Sequence, residues 1–343
     1  MDISKTLLDL LNSATGGNQV ISMIVSVVLL IVGFVFLIKG ADLFVDGASK
    51  IAAKLNVPLI VIGLTIVAFG TSAPEAAISI NSAFQNNAGI AVGNVIGSNI
   101  LNILLILGIA ALFTAVPVKK STFRYEIPFV IVISAVLVFL GVTGGSIDKL
   151  DSVIFLILFV LFFVYLILLS KKGEGDAGDD VPTLTEKDTV PKMILFIIIG
   201  LAAIVLGSDF TVTGATEIAK ALNVDDRIIG LTIVAFGTSL PELVTSVTAA
   251  KKHQADIAIG NVIGSNIFNI LFVIGLAGIF SPNPINFEST FIIDGIVAIA
   301  AVILLWLLIF KSKKINKAGG VIMLVSYAIY FTYLLLQPTL LPA

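Results

Sequence analysis

The chain has 343 residues, 58% hydrophobic and 12% charged, with a mean hydropathy of +1.12 and a formal net charge of −2. Soluble domains run nearer about 45–50% apolar and about 25% charged, so this chain is solvated mainly by lipid, which excludes a soluble enzyme. With no cysteine and His253 as the single histidine, disulfides, thiolate metal sites and histidine relays are excluded too, and any ion chemistry must use oxygen ligands.

In chain order, residues 1–19 lack a basic leader and a long apolar run, and Leu7, Leu8, Leu10 and Leu11 around Asp9 read as a short interfacial helix. Apolar runs then predict ten spans, near 20–53, 57–84, 89–115, 125–143, 150–170, 192–220, 227–250, 256–280, 289–310 and 318–337. The expected fold is an all-α integral membrane protein. The first and sixth runs are long and carry Lys39 with Asp42, and Asp209, in mid-course, as tilted helices with one face away from lipid would. Lys39 stands as a candidate to neutralise Asp42. Residues 171–191, KKGEGDAGDDVPTLTEKDTVP, form the one long polar stretch and read as a flexible linker between halves at 20–170 and 192–343. Its Asp176, Asp179 and Asp180 lack the spacing of a calcium loop and read as solvation.

With the N-terminus outside, the inner loops hold Lys50, Lys54, Lys119, Lys120, Arg124, Lys171, Lys172, Lys187, Lys192, Lys251, Lys252, Lys311, Lys313, Lys314 and Lys317, which is 15 of the 20 basic residues. The outer side keeps Lys5, Lys149, Lys220 and Arg227. This bias predicts both termini outside and a cytoplasmic linker in the cell membrane. His253, beside Lys251 and Lys252, reads as an exposed residue of an inner loop.

The strongest signal is internal. IGLTIVAFGTSAPEAAIS from Ile62 recurs as IGLTIVAFGTSLPELVTS from Ile229, and GNVIGSNILNIL from Gly93 recurs as GNVIGSNIFNIL from Gly260, both offset by 167 residues. Five spans lie within that offset, so equivalent segments cross the membrane in opposite directions. The expected arrangement is two inverted five-helix repeats (5+5), an architecture of secondary transporters with their site near the midplane.

Pro74 and Pro241 each remove an amide donor inside an apolar helix, which predicts a break there and frees the carbonyls of Gly70 and Gly237 to line a polar cavity. Glu75 lies four residues after Thr71 and three after Ser72, on one helix face with them, as Glu242 does with Thr238 and Ser239. A carboxylate at mid-membrane costs about 3 kcal/mol or more, so it must be protonated, paired or bound to a cation. Neither repeated segment offers a Lys or Arg before Lys251, so two glutamates present −2, the balance for one Ca²⁺ or for more than one Na⁺. Gly93 with Gly97, and Gly260 with Gly264, predict close helix approach; Ser98 with Asn102, and Ser265 with Asn269, place a hydroxyl and an amide on one face. Ser98, Asn102, Ser265 and Asn269 read as ligands, although Ser and Asn also serve as interhelical glue, and Asn94 and Asn261 are open between gating or contacts behind the site and such glue. Collected, these hard oxygens suit Ca²⁺ and Na⁺ better than Mg²⁺.

The paired GTSxPE and GNVIGSN segments resemble the two alpha-repeats of the cation/calcium antiporter superfamily, in particular its prokaryotic sodium/calcium exchanger branch. The resemblance implies exchange of Ca²⁺ against Na⁺ by alternating access, with ions between the second, third, seventh and eighth helices and the first and sixth sliding. By motif position it implies ligands at Thr71, Ser72, Glu75, Ser98, Asn102, Thr238, Ser239, Glu242, Ser265 and Asn269, with the carbonyls of Ala68 and Ala235. Some relatives, including potassium-dependent exchangers, carry Asp where this chain has Asn269, which implies K⁺-independent transport here. Ca²⁺/H⁺ exchange in the same fold is the nearest alternative, although that branch typically has Glu where Gly97 and Gly264 stand. A cation channel is the more distant one. No enzymatic activity, cofactor, nucleic acid or obligatory protein partner is expected; the partners are the lipid bilayer and the transported Ca²⁺ and Na⁺.

Overall fold

The computed structural model describes residues 19–85, 88–172, 182–185, 188–223 and 235–340, with Thr6 and Ile233 besides. Apart from Thr6, Gln19 and Ile233, the expected interfacial helix at 1–19 and the start of the span predicted from 227 lie outside the described residues, as does most of the linker.

Helices dominate because long runs of Ile, Leu, Val and Phe can satisfy their backbone in lipid only by internal hydrogen bonds. In order they are α1 (Gln19–Leu55), α2 (Leu59–Ile62), α3 (Ala68–Thr71), α4 (Ala73–Phe84), α5 (Ala88–Leu101), α6 (Leu107–Phe113), α7 (Ile127–Gly144), α8 (Lys149–Lys172), α9 (Val190–Ala221), α10 (Ala235–Thr238), α11 (Leu240–Lys251), α12 (Ala255–Phe268), α13 (Ile274–Phe280), α14 (Ser289–Ile309) and α15 (Lys317–Leu340). π-helical turns at Gly63–Val67, Asn102–Ile106 and Asn269–Val273 join α2 to α3, α5 to α6 and α12 to α13. A further π turn, Thr122–Glu126, leads into α7. Among the described residues eight helices are long and apolar enough to cross a membrane, or nine if Leu59–Thr71 with Ala73–Phe84, bent by 53°, is counted as one span. The chain is a multi-pass membrane protein.

Burial sorts these spans into centre and rim. The apolar windows of Gly89–Phe113 and Ala255–Phe280 are 78% and 83% buried, whereas those of the other six long helices are 22–33% buried and face outward. The GNVIGSN helices therefore lie in the interior.

The helical prediction has one exception. Four two-residue strands, β1 (Val116–Pro117), β2 (Ser146–Ile147), β3 (Ile285–Asn286) and β4 (Lys314–Ile315), pair antiparallel as β1 with β4 and β2 with β3. Val116 faces Ile315 and Ile147 faces Ile285, so each pair joins a loop of one half to a loop of the other. Gly145, at φ +65°, ends α7 in the left-handed region and turns the chain into β2. Asp148 and Asp151 then exchange hydrogen bonds with each other's backbone amides, at 2.9 and 3.1 Å, to start α8.

α1 and α9 pack with their backbones nearly touching. A Cβ at Gly200 would lie 2.8 Å from the Gly40 carbonyl oxygen, and one at Gly207 would lie 2.8 Å from that of Gly33. In the core, Gly260 and Gly264 behave as predicted: a Cβ there would meet Gly63 Cα at 2.9 Å and Leu64 Cα at 2.8 Å. Among the described residues the same close approach is not seen in the first half: a Cβ at Gly93 would meet the Phe291 ring at 3.5 Å, an ordinary contact, and one at Gly97 would meet nothing within 4 Å.

Candidate cation site

The expectation that Thr71, Ser72 and Glu75 share one continuous helix face is corrected by the break itself. Ser72 leaves the helical region at φ −82°, ψ 4°, and Ser239 does the same at φ −93°, ψ 6°. Pro74 and Pro241 sit in the first turns of α4 and α11, where a missing amide is tolerated. Glu75 and Glu242 thus fall in the first turn of a new helix, whose dipole favours negative charge.

Both serines open a helix without capping it. Ser72 Oγ donates instead to Glu242 Oε1 at 2.8 Å, and Ser239 Oγ donates to Glu75 Oε1 at 3.1 Å. The two broken spans are thereby cross-linked, each carboxylate oriented by a hydroxyl of the other half. Each glutamate is 1% exposed, and its Oε2 has no hydrogen-bond partner among the described residues. Thr71 is fully buried, and its hydroxyl lies within 3.1 Å of the Val67 carbonyl oxygen and 2.9 Å of Asn261 Oδ1.

From α5 and α12 come the amides. Asn102 Nδ2 donates to Asn266 Oδ1 at 3.1 Å and Asn269 Nδ2 to Asn99 Oδ1 at 3.2 Å. Asn102 Oδ1, Asn269 Oδ1 and Ser265 Oγ, all buried, have no hydrogen-bond partner among the described residues. Asn102 and Asn269 each open a π-helical turn, an irregularity frequent at functional sites. Ser98 is 6% exposed and Thr238 half-buried. The Ala68 carbonyl accepts the Ser72 amide at 3.0 Å, and Ala235 opens α10 at the equivalent place. Among the described residues no ion pair involves Glu75 or Glu242. Buried oxygen acceptors without donors, next to carboxylates without cationic partners, are a fit for a bound cation.

The model of the family described as "Sodium/calcium exchanger protein" matches residues 25–168 and 192–336. The chain belongs to that family. It is similar to the sodium/calcium exchanger MaX1 of Methanosarcina acetivorans, at 35% identity over 90% of this chain and 98% of the relative. It is also similar to the inner membrane protein YrbG of Escherichia coli, at 32% identity over 91% and 97%. Its fold is similar to the solved sodium-calcium exchanger NCX_Mj, with a TM-score of 0.78 at 34% identity, over 90% of this chain and 98% of that one.

Within this sodium/calcium exchanger fold, two sequence expectations change. Asp42 is met by Lys252 of α11, whose Nζ lies 3.4 Å from Oδ1 and donates to the Asp42 carbonyl oxygen at 2.8 Å, while Lys39 is exposed. Residues 39 and 42 are near in sequence, but tertiary packing brings Lys252 onto the face that bears Asp42. The Gly237 carbonyl, expected to line the cavity, accepts Ser208 Oγ of α9 at 2.7 Å. One repeat offset before Ser208 stands Ala41, which has no hydroxyl to offer Gly70. Asn94 and Asn261 lie behind the site: their Nδ2 atoms donate to Ser79 and Ser246, both at 2.9 Å, and reach the backbone carbonyls of Glu75 and Glu242 at 3.4 Å. His253 is exposed in the turn after α11, as expected. Asn99 and Asn266 were not among the expected site residues, although each recurs in the duplicated GSN and so carried the same repeat signal.

Proposed function

We propose that this chain is a secondary active antiporter that exchanges Ca²⁺ against Na⁺ across the cell membrane by alternating access, without requiring K⁺. The observation that carries the proposal is the set of buried oxygens without hydrogen-bond partners among the described residues: Oε2 of Glu75 and Glu242, Oδ1 of Asn102 and Asn269, and Oγ of Ser265. Family membership supports it, as does the NCX_Mj structure described as soaked with 2.5 mM Na⁺ and 0.1 mM Ca²⁺.

Two carboxylates suit one Ca²⁺ or more than one Na⁺, completed by Thr71, Ser72, Ser98, Thr238, Ser239 and the carbonyls of Ala68 and Ala235. An empty −2 site resists crossing, so reorientation follows loading with one ion or the other, and that restriction makes the process an exchange. The site residues have neutral amides at both 102 and 269, which supports independence from K⁺. Recurrence of elements at the repeat offset, with the reciprocal strand pairs, supports ten spans in two inverted five-helix halves at 20–170 and 192–343. Both termini then lie outside and linker 171–191 inside. The glycine-lined pair α1 and α9 forms the body that shifts against the core.

The test is uptake of radiolabelled Ca²⁺ into proteoliposomes loaded with Na⁺ and diluted into medium free of Na⁺ and K⁺ at clamped pH. Uptake that needs internal Na⁺ and is lost in Glu75→Gln and Glu242→Gln supports the proposal. Uptake that follows a pH gradient and ignores Na⁺ replaces Na⁺ by H⁺, uptake restored only by K⁺ removes the K⁺-independence, and flux without any counter-ion indicates a channel.

A further inference from the structure

We infer that Asn99 and Asn266 are positioning residues that hold the amides of Asn102 and Asn269 with oxygen, never nitrogen, turned to the cation. The inference rests on the cation-site function proposed above.

It follows from donors and acceptors alone. A backbone carbonyl can only accept, so the group that Asn99 sets against the Asn266 carbonyl oxygen at 3.3 Å must be its Nδ2. Asn266 returns the same bond to the Asn99 carbonyl at 3.3 Å. These reciprocal bonds settle which end of each amide points where, and both Oδ1 atoms are left facing the other way. Asn99 Oδ1 then accepts from Asn269 Nδ2, and Asn266 Oδ1 from Asn102 Nδ2. With their nitrogens held, Asn102 and Asn269 retain one end each, Oδ1, and both oxygens are buried without a partner among the described residues.

All four residues are between 1% and 4% exposed, so water does not compete for these groups. The dependence crosses the molecule: the ligand of the second half, Asn269, is oriented by Asn99 of the first, which is itself anchored on the Asn266 backbone of the second. Without that frame a side-chain amide is free to turn over at no change in volume, and its NH₂ hydrogens would oppose a cation. Residues behind a metal ligand that fix its orientation typically affect metal affinity by about 10- to 100-fold when removed.

The test is a double-mutant cycle on Ca²⁺ dissociation constants of purified protein, with Asn99→Ala, Asn269→Ala and the double variant, alongside unfolding temperatures without ions. Asn99→Ala is expected to weaken Ca²⁺ about tenfold when Asn269 is present and less than about twofold when residue 269 is already Ala, because there is then no amide to orient. Equal weakening in both backgrounds, tracking a lower ion-free unfolding temperature, would show a role in helix packing alone and overturn the inference. If Asn99→Ala does not fold, the mirror cycle of Asn266→Ala with Asn102→Ala makes the same distinction. Ca²⁺ binding by the unaltered protein that Glu242→Gln abolishes keeps the cation site in place whichever way the cycle falls; no Ca²⁺ binding at all would overturn the site and the inference together.

Discussion

The hydroxyl of Ser72 donates to Oε1 of Glu242 at 2.8 Å, across the two halves, although Ser72 stands where it would ordinarily cap its own helix α4. A hydrogen bond to a charged group is worth about 1.5–3 kcal/mol, and 1.4 kcal/mol is about tenfold in affinity. Ser72→Ala should therefore raise the KM for Ca²⁺ about tenfold or more. Ser239→Ala, which removes the longer 3.1 Å bond to Glu75, should raise it less. Concentration series of Ca²⁺ uptake check this, and an unchanged KM in both variants would contradict it.

Gly200 is required by close approach. A valine there would drive its side chain into the backbone of α1, where even a Cβ lies 2.8 Å from the Gly40 carbonyl oxygen. Backbone cannot yield as a flexible side chain would, and overpacking of this kind costs about 1–3 kcal/mol. Gly200→Val should lower the unfolding temperature in detergent and slow exchange, since α1 and α9 can no longer seat together.

Ser208 serves a carbonyl that the proline four residues on cannot: Pro241 has no N–H for Gly237, and Ser208 Oγ supplies the donor at 2.7 Å. Ser208→Ala leaves a buried acceptor open, at a cost of about 1–3 kcal/mol. The expected result is a lower unfolding temperature with Ca²⁺ affinity changed much less than in Ser72→Ala, measured on the same preparations.

Outside the membrane, Asp188 ties the end of the linker to α1. Its Oδ2 accepts the Thr185 hydroxyl at 2.7 Å and the Thr185 amide at 2.9 Å, and its Oδ1 lies 3.0 Å from Lys50 Nζ. The Thr185 hydrogen bonds first, and Lys50 after them, hold its carboxyl well below the usual aspartate range. A depressed carboxylate stabilises the folded contact at pH values above its unfolded pKa of about 3.9, and that contribution is lost as pH falls below it. Asp188→Asn should thus speed amide exchange around residues 185–190 at neutral pH, and the difference from the unaltered protein should shrink below about pH 4.

Much of this protein is legible in its sequence because membrane solvation and duplication both act locally. A run of apolar residues must be helical in lipid whatever lies beside it, and Pro74 and Pro241 break their helices by covalent geometry alone. Polar residues kept in register across 167 positions pointed to Glu75, Glu242, Asn102 and Asn269 before any contact was known. What tertiary structure alone decided is which oxygens remain free. Thr71, Ser72 and Glu75 looked like one helix face; packing instead sends Ser72 to a carboxylate 170 residues away. Lys39 stood near Asp42 in sequence, yet Lys252 meets it, 210 residues on. Gly237 lost its cavity-facing role to Ser208, and Asn99 and Asn266 acquired theirs through bonds spanning 164 to 170 residues. Sequence pattern reports which groups a chain owns and which face of an element they occupy, but a hydrogen bond is satisfied by whatever the other half brings within about 3 Å, and only the packed chain determines that.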